Sequence, residues 1–353
     1  MYIKVLGGYM VYRANRLYIP DLHHQAGRYD EIYSVFGSIA DYTEQHPEIK
    51  TLIFLGDNFN KTPSQEEINV FMNMLSRLRC DLDVIIAIGN HEPNSPGKDC
   101  YSNFQHFHHF TYKINIVRNY SLIEYDNGTK ELVLSYRHNR PKEHFTPERL
   151  KGFEVVSGHF SIDRFYGSDP GNLPIDGTEG PIFLAGHVHT ICSQNNLHHV
   201  GSAIANAFDE GQMEQRYMLH YENPDKKTWI PLRNFKSVIM KVKDPQDLEN
   251  QIEAASSVDS WDSFRTNIKL VITGPIKGSV IQHIKKKYQL RILSIEYAYT
   301  IHDKLVKSQI ENAEELDTET LIDKHFNLKQ IVDIDKEDFL SIVMSLLDKE
   351  EQC

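Results

Sequence analysis

Thr51-Leu52-Ile53-Phe54-Leu55-Gly56-Asp57 is a short run of β-branched and aliphatic residues that ends in a glycine and a carboxylate. The run is too short for a helix and lacks polar alternation, so it reads as a strand buried on both faces. Glycine just past a strand lets the backbone turn sharply, and the next side chain then projects from the end of the sheet. The pattern repeats along the chain. Asp83-Val84-Ile85-Ile86-Ala87-Ile88 leads into Gly89-Asn90-His91, and Phe153-Glu154-Val155-Val156-Ser157 leads into Gly158-His159. Pro181-Ile182-Phe183-Leu184-Ala185 leads into Gly186-His187-Val188-His189, and upstream Leu17-Tyr18-Ile19-Pro20 precedes Asp21-Leu22-His23. Converging, these strand ends would gather Asp21, Asp57, Asn90 and several histidines in one place. Hard oxygen and imidazole donors of that kind suit Mn, Fe or Zn rather than a thiolate zinc site. Cys80, Cys100, Cys192 and Cys353 show no close pairing, which implies no disulfide framework and a reducing, cytoplasmic setting.

The motif order D-x-H, G-D, G-N-H, G-H and G-H-x-H resembles that of the calcineurin-like metallophosphoesterases, from about Leu17 to Tyr221. Within that superfamily the chain is most similar to the SbcD-type DNA-repair nucleases, which pair with an SMC-like ATPase of the SbcC kind. Gly56-Asp57-Asn58-Phe59-Asn60 is similar to the G-D-x-F-D form of that branch. His199-Val200-Gly201-Ser202-Ala203 resembles its Y-x-G-S-P turn, and a strand-like Tyr217-Met218-Leu219-His220-Tyr221 follows. The expected fold is α/β (α+β): a two-sheet metallophosphoesterase sandwich with flanking helices, a small α/β capping domain and C-terminal helices. Many members begin with L-G-D-x-H, where this chain has Leu6-Gly7-Gly8-Tyr9-Met10. Read alone, that stretch describes an enzyme without its first two ligands. Asp21-Leu22-His23 supplies an intact D-x-H, with an amphipathic Tyr29 to Tyr42 after it where the first helix belongs. The first sixteen residues then form an extra strand or hairpin.

A phosphodiester repels hydroxide, and two divalent ions answer this by lowering the pKa of a water from about 15.7 toward 7 and neutralising the phosphate. Asp57 is the natural bridge, since its carboxylate has two oxygens and its motif is central. The resemblance implies that Asp21, His23 and His189 hold one ion with Asp57, and that Asn90, His159 and His187 hold the other. Manganese is the expected metal, with Mg, Fe or Zn as alternatives. The resemblance implies that His91 faces the scissile phosphate as a general acid, a role that suits an imidazole. His106, His108 and His109 cluster in sequence but fall at no strand end and are rejected as ligands. His24, His198 and His199 flank motifs and read as structural. Glu92 and Asn60 stand where SbcD-type proteins have Asp. G-N-H-E also occurs in Ser/Thr protein phosphatases, but these carry an Arg before it and a G-D-x-x-D-R-G, which Ile88 and Asn58-Phe59-Asn60-Lys61-Thr62 do not match.

The net charge of -11 cuts against a simple DNA-binding protein, because affinity for nucleic acid rests on neutralised phosphates. One local exception is Tyr136 to Gly152, with Arg137, Arg140, Lys142, Arg149 and Lys151 against Glu143 and Glu148. It follows the strand-like Leu132 to Ser135 and is expected to start at an edge of the sheet. It reads either as a DNA contact, through Arg137, Arg140 and Lys142, or as a solvated loop and helix. No apolar stretch approaches membrane-spanning length, and the first residues lack the basic-then-apolar layout of a signal peptide.

At 353 residues the chain has room for one large domain and a small one. The expected division is a phosphoesterase domain over 1–235, a capping domain over 236–303, an acidic linker over 304–320 and a helical segment over 321–353. The capping domain shows strand (Val238 to Val242), helix (Pro245 to Ala255), strand (Asn267 to Ile272), helix (Ser279 to Tyr288), strand (Leu290 to Tyr299). Near the end, Phe339, Ile342, Val343, Leu346 and Leu347 share one helix face, and Leu321, Ile322, Phe326 and Leu328 would extend it. So short a helix must bury that stripe, either on the capping domain or on a partner. SbcD-type proteins bind the coiled-coil base of their ATPase through C-terminal helices. The resemblance therefore implies DNA and an SbcC-type ATPase as partners, and a homodimer within a heterotetramer. Small size and terse linkers would suit a tailed-phage recombination nuclease acting in the host cytoplasm.

Overall fold

The structure is a computed structural model that describes residues 11–92, 100–101, 114–137, 145–162, 173, 180–205, 215–257, 265–274 and 276–298. The chain divides into two compact units, Met1–Lys236 and Ser237–Cys353. Met1 to Leu6, His106, His108, His109, Arg140, Lys142 and the whole of 304–353, with Leu321, Phe326, Phe339, Ile342, Val343 and Leu346, lie outside the described residues.

The first unit is built on two mixed sheets laid face to face. One holds β2 (Arg16–Ile19), β3 (Thr51–Phe54), β4 (Asp83–Ala87), β5 (Ile114–Val117), β12 (Tyr217–Asn223) and β13 (Lys226–Pro231), in the order β13-β12-β2-β3-β4-β5. The other holds β1 (Val11–Tyr12), β6 (Tyr120–Tyr125), β7 (Lys130–Leu134), β8 (Val155–Gly158), β9 (Ile182–Ala185), β10 (Cys192–Gln194) and β11 (Leu197–His199), in the order β1-β6-β7-β8-β9-β11-β10. Strands β2, β3, β4 and β5 run parallel, as do β7, β8 and β9, so the ends that carry the candidate ligands point one way within each sheet.

Period-2 alternation explains why these strands are apolar on every residue. Leu52 and Phe54 face α1 (Tyr29–Gln45) and α2 (Gln65–Leu75), packing with Val35, Phe36, Ile39, Phe71 and Leu75. Ile53 and Leu55 face the other sheet, against Val133, Val155 and Leu184. In β4, Val84 and Ile86 point to the helices, and Ile85 and Ala87 to the sheet interface. The far face of the seven-stranded sheet carries a third cluster, with Leu134, Val156 and Phe183 packed beside Leu150 of the one-turn helix α3 (Pro147–Leu150).

The first residues described add a strand, and one expectation changes in detail. The chain before Asp21 contributes β1, which pairs parallel to β6 in one sheet, before the chain crosses to β2 in the other. Strand β7 lies between β6 and β8, so the basic stretch leaves the end of an interior strand rather than a lateral edge.

The second unit holds β14 (Lys236–Val242), α4 (Pro245–Ser256), β15 (Thr266–Ile272), α5 (Gly278–Lys287) and β16 (Arg291–Tyr297), with the strands in the order β14-β15-β16. Asp244 caps α4 by accepting from the backbone N–H of Asp247, with proline in the first turn, a favoured start for a helix. Met240, Val242, Leu248, Ile252, Ile268, Leu270, Ile281 and Ile284 form its own core. Among the described residues no helix is long and apolar enough to cross a membrane.

Candidate metal centre

Asp21, His23, Asp57, Asn90, His159, His187 and His189 lie beyond the ends of β2, β3, β4, β8 and β9, on loops tied to one another by backbone bonds. The N–H groups of Leu22 and His23 both donate to the Asp57 carbonyl, at 3.1 and 2.9 Å. Asp21 accepts from the N–H of His187 at Oδ2 (2.8 Å), and Asp57 accepts from the N–H of His91 at Oδ1 (2.9 Å). His23, Asp57 and His187 all take positive φ, at 45°, 45° and 74°. Non-glycine residues rarely adopt that region, and such strain concentrates at functional sites. The motif glycines are needed for close approach. A methyl group on Gly89 would overlap the Asp57 carboxylate, and one on Gly186 would overlap Asp21 Oδ1.

Two groups of donor atoms result. In the first, Nε2 of His23 and Nε2 of His189 lie 2.8 Å apart, with Asp21 Oδ2 3.9 Å from His189 Nε2. In the second, Asn90 Oδ1 is 2.9 Å from both His159 Nε2 and His187 Nδ1, and these two nitrogens are 3.2 Å apart. Asp57 Oδ2 reaches the second group at 3.2 Å from His159 Nε2. Asp57 also groups with His23 and His91, and Asp21 with Asp57 and His159. One oxygen of the expected bridging carboxylate is therefore already engaged by the His91 N–H, and Oδ2 is the oxygen that faces the imidazoles.

These residues fit divalent cations. Asp21 Oδ1 is buried with no hydrogen-bond partner, which is costly unless something else satisfies it. Imidazole nitrogens turned toward one another at 2.8 Å are the arrangement of ligands around a shared cation. The His159 ring is oriented from behind, Nδ1 lying 3.1 Å from the Leu55 carbonyl, which leaves the Nε2 lone pair for a metal. The protonation states tell the same story of uncompensated charge. Burial pushes the Asp21 carboxyl up to about 7, with the Asp57 charge adding to it and His159 opposing. Burial drives His23 down to about 3. His159 is pushed up to about 9, because the Asp57 and Asp21 carboxylates outweigh the burial that would lower it. Asp57 is held below the ordinary carboxylate range by His159 and His23, against the opposing effect of burial.

His91 sits differently. Its Nδ1 is 2.7 Å from the Asn60 carbonyl, its Nε2 is 3.8 Å from Asp57 Oδ2, and its side chain is 33% exposed. The Asn60 carbonyl accepts from Nδ1, which orients the ring and turns Nε2 toward Asp57. Among the flanking histidines, His24 is buried with Nε2 3.2 Å from the Glu67 carbonyl, and His199 is buried in β11. His198 bonds Ser193 at 3.0 Å. Of the basic stretch, Arg137 is exposed just past β7, and Arg149 in α3 and Lys151 after it are exposed too.

Glu92 plays a part that its position in the sequence does not reveal. Its buried carboxylate accepts from the N–H of Gly89 (2.8 Å), the N–H of Phe59 (3.1 Å) and the hydroxyl of Tyr101 (2.7 Å). Tyr101 in turn accepts from Asn58 at 2.9 Å, so one carboxylate joins the loop of Asp57 to the loop of Asn90. Burial, with the Asp57 charge nearby, pushes it up to about 7. Asn60 directs its amide to Gln25 at 2.9 Å. The sequence marks Glu92 as the last residue of G-N-H-E but does not show these contacts, and Tyr101 carries no motif.

A two-sheet sandwich with this donor set at its strand ends defines a metal-dependent phosphoester hydrolase. Residues 16–212 match the Calcineurin-like phosphoesterase family over more than half of the chain, and the chain belongs to that family. No curated protein matches it.

Proposed function

We propose that this chain is a two-metal phosphodiesterase acting on DNA, the nuclease subunit of an SbcC–SbcD-like complex in repair or recombination. The carrying observation is the convergence of seven candidate ligands with His91 beside them, its Nε2 3.8 Å from Asp57. Asp21, His23 and His189 would hold one ion and Asn90, His159 and His187 the other, with Asp57 between. Two such ions, Mn in this proposal, supply Lewis acidity and a hydroxide nucleophile at neutral pH. The residues do the rest: the ligand loops fix the phosphate between the two groups, and His91 delivers a proton to the departing oxygen from Nε2.

The nuclease branch is supported by Gly56-Asp57-Asn58-Phe59-Asn60, by His199-Val200-Gly201-Ser202-Ala203 and by the separate three-stranded unit after the phosphoesterase part. Arg137, Arg140 and Lys142 are the proposed DNA contacts. Leu321, Phe326, Phe339, Ile342, Val343 and Leu346 are the proposed ATPase contacts, in a cytoplasmic heterotetramer built on a dimer of this chain. The net charge of -11 favours a second reading, a phosphoesterase of small nucleotides that needs no cationic groove. Incubating the purified full chain with Mn and DNA, alone and with an SbcC-like ATPase, separates the two. Strand cleavage is expected; turnover of small phosphodiesters with intact DNA in both mixtures would favour the second.

A further inference from the structure

One aromatic side chain at the mouth of the centre belongs to no ligand motif. Tyr136 follows β7, half-buried, with its ring centroid 5.4 Å from that of His187 and 6.0 Å from that of His159. It thus stands beside the group formed by Asn90, His159 and His187, with His187 itself only partly buried. Its backbone is fixed to the loop that carries Asn90 and His91. The N–H of Tyr136 donates to the Ile88 carbonyl at 2.7 Å, and the N–H of Ile88 donates to Ser135 Oγ at 2.8 Å. Ser135 is buried, and its hydroxyl also donates to the Val117 carbonyl. Beyond the ring the chain turns outward at the exposed Arg137.

Tyr136 is half-buried, and the backbone bonds at Ile88 and the buried Ser135 before it fix where its ring stands beside His187. A rigid aromatic next to an exposed guanidinium is the pairing that receives single-stranded nucleic acid, one stacking a base and the other meeting a phosphate. We propose that Tyr136 is a specificity-determining residue, the stacking platform for the base of the nucleotide whose phosphate is attacked, with Arg137 on the adjoining phosphate. This rests on the reading of the chain as a DNA phosphodiesterase and adds that the enzyme grips an unpaired base at the cleavage position.

The test uses the full chain with Mn and two single-stranded oligodeoxynucleotides, one with 2-aminopurine at the cleaved position and one abasic there. For Tyr136→Ala we expect KM on the base-bearing strand to rise by about ten- to a hundredfold, the range for a lost base–aromatic stack. The abasic strand should be cleaved as by the wild type, 2-aminopurine quenching should disappear, and metal content should not change. Tyr136→Phe should retain both quenching and KM. Tyr136→Leu, which keeps apolar bulk without an aromatic face, should behave as Tyr136→Ala and guards against misfolding of the smaller variant. Equal losses on both strands, or loss of metal, would overturn the proposal and make Tyr136 a support for His187. A wild type that hydrolyses bis-p-nitrophenyl phosphate but neither strand would remove the nucleic-acid reading itself, and the platform with it.

Discussion

At the scale of single residues, His91 is where the proposed chemistry can be tested apart from metal holding. Its Nδ1 is tied to the Asn60 carbonyl and its Nε2 faces Asp57 without joining the tight group around Asn90. His91→Asn should keep both ions, measured by elemental analysis, and slow phosphodiester cleavage by about 10² to 10⁴-fold, as for a lost general acid. Loss of metal in that variant would make His91 a ligand. The seven candidate ligands were legible because the same local signal, apolar strand then glycine then donor, occurs repeatedly. Glu92, Tyr101 and Tyr136 were not, because each acts through a contact between separate loops. Glu92 stood out in the sequence only as a departure from Asp, and its bonds from Gly89, Phe59 and Tyr101 could not be read there.

At the scale of elements, the two sheets are joined by polar groups as well as by apolar packing. Arg16 at the start of β2 is fully buried and donates to Glu131 of β7 at 2.9 Å and to Glu154 at 2.8 Å. Its guanidinium lies over the rings of Tyr125 and Tyr221, at 4.1 and 4.6 Å from their centroids. Glu131 also accepts from the hydroxyls of Tyr18, Tyr125 and Ser157. Removing one partner of a buried pair strands the other, at a cost of about 3–5 kcal/mol. Arg16→Met should therefore lower unfolding stability by about that much in denaturant titrations, and a loss below about 1 kcal/mol would show that the tyrosines carry Glu131 unaided. The sequence does not single out either charge, since position alone cannot say that two strands from different sheets meet there. The alternation in the second unit, by contrast, was legible nearly to the residue, because each helix and strand there has its own period and turn.

His220 in β12 supplies a pH test of the same sheet. It is buried, with Nδ1 3.0 Å from the Tyr42 hydroxyl, and His46, Glu48, Glu222 and Lys226 surround it. Burial lowers its pKa below the ordinary value despite the raising effect of Glu222 and Glu48. A histidine depressed in the folded state is held neutral, so protons favour the unfolded chain. Its stabilising contribution is intact above the unfolded value of about 6.5 and is lost as pH falls below that. The melting temperature should drop between pH 8 and pH 5, and His220→Gln should drop by less. Equal drops would show that His220 does not titrate on unfolding.

At the scale of the whole molecule, the charge of -11 and the two units together set the question of partners. On the proposed reading, cationic surface comes from an ATPase that the segment 321–353 engages. Deleting Gln309 to Cys353 should abolish capture of an SbcC-like ATPase while preserving the melting temperature and the basal Mn-dependent activity. A truncated chain that melts far below the full-length protein would show that this segment belongs to the core instead. The phosphoesterase fold was legible through the family resemblance that the strand-end motifs carry, whereas a partner surface leaves only an amphipathic stripe, which is the same whether it packs at home or abroad.

The central claim, that strand-end residues hold two catalytic ions, is tested most directly by titrating metal-stripped protein with Mn and measuring bound metal and phosphodiesterase turnover together. The account predicts two ions per chain and activity that rises with occupancy. It also predicts that Asp57→Ala and His187→Ala lose both binding and turnover while retaining the wild-type circular dichroism. Full occupancy with wild-type turnover in either variant, or activity in the stripped protein that Mn does not change, would contradict it.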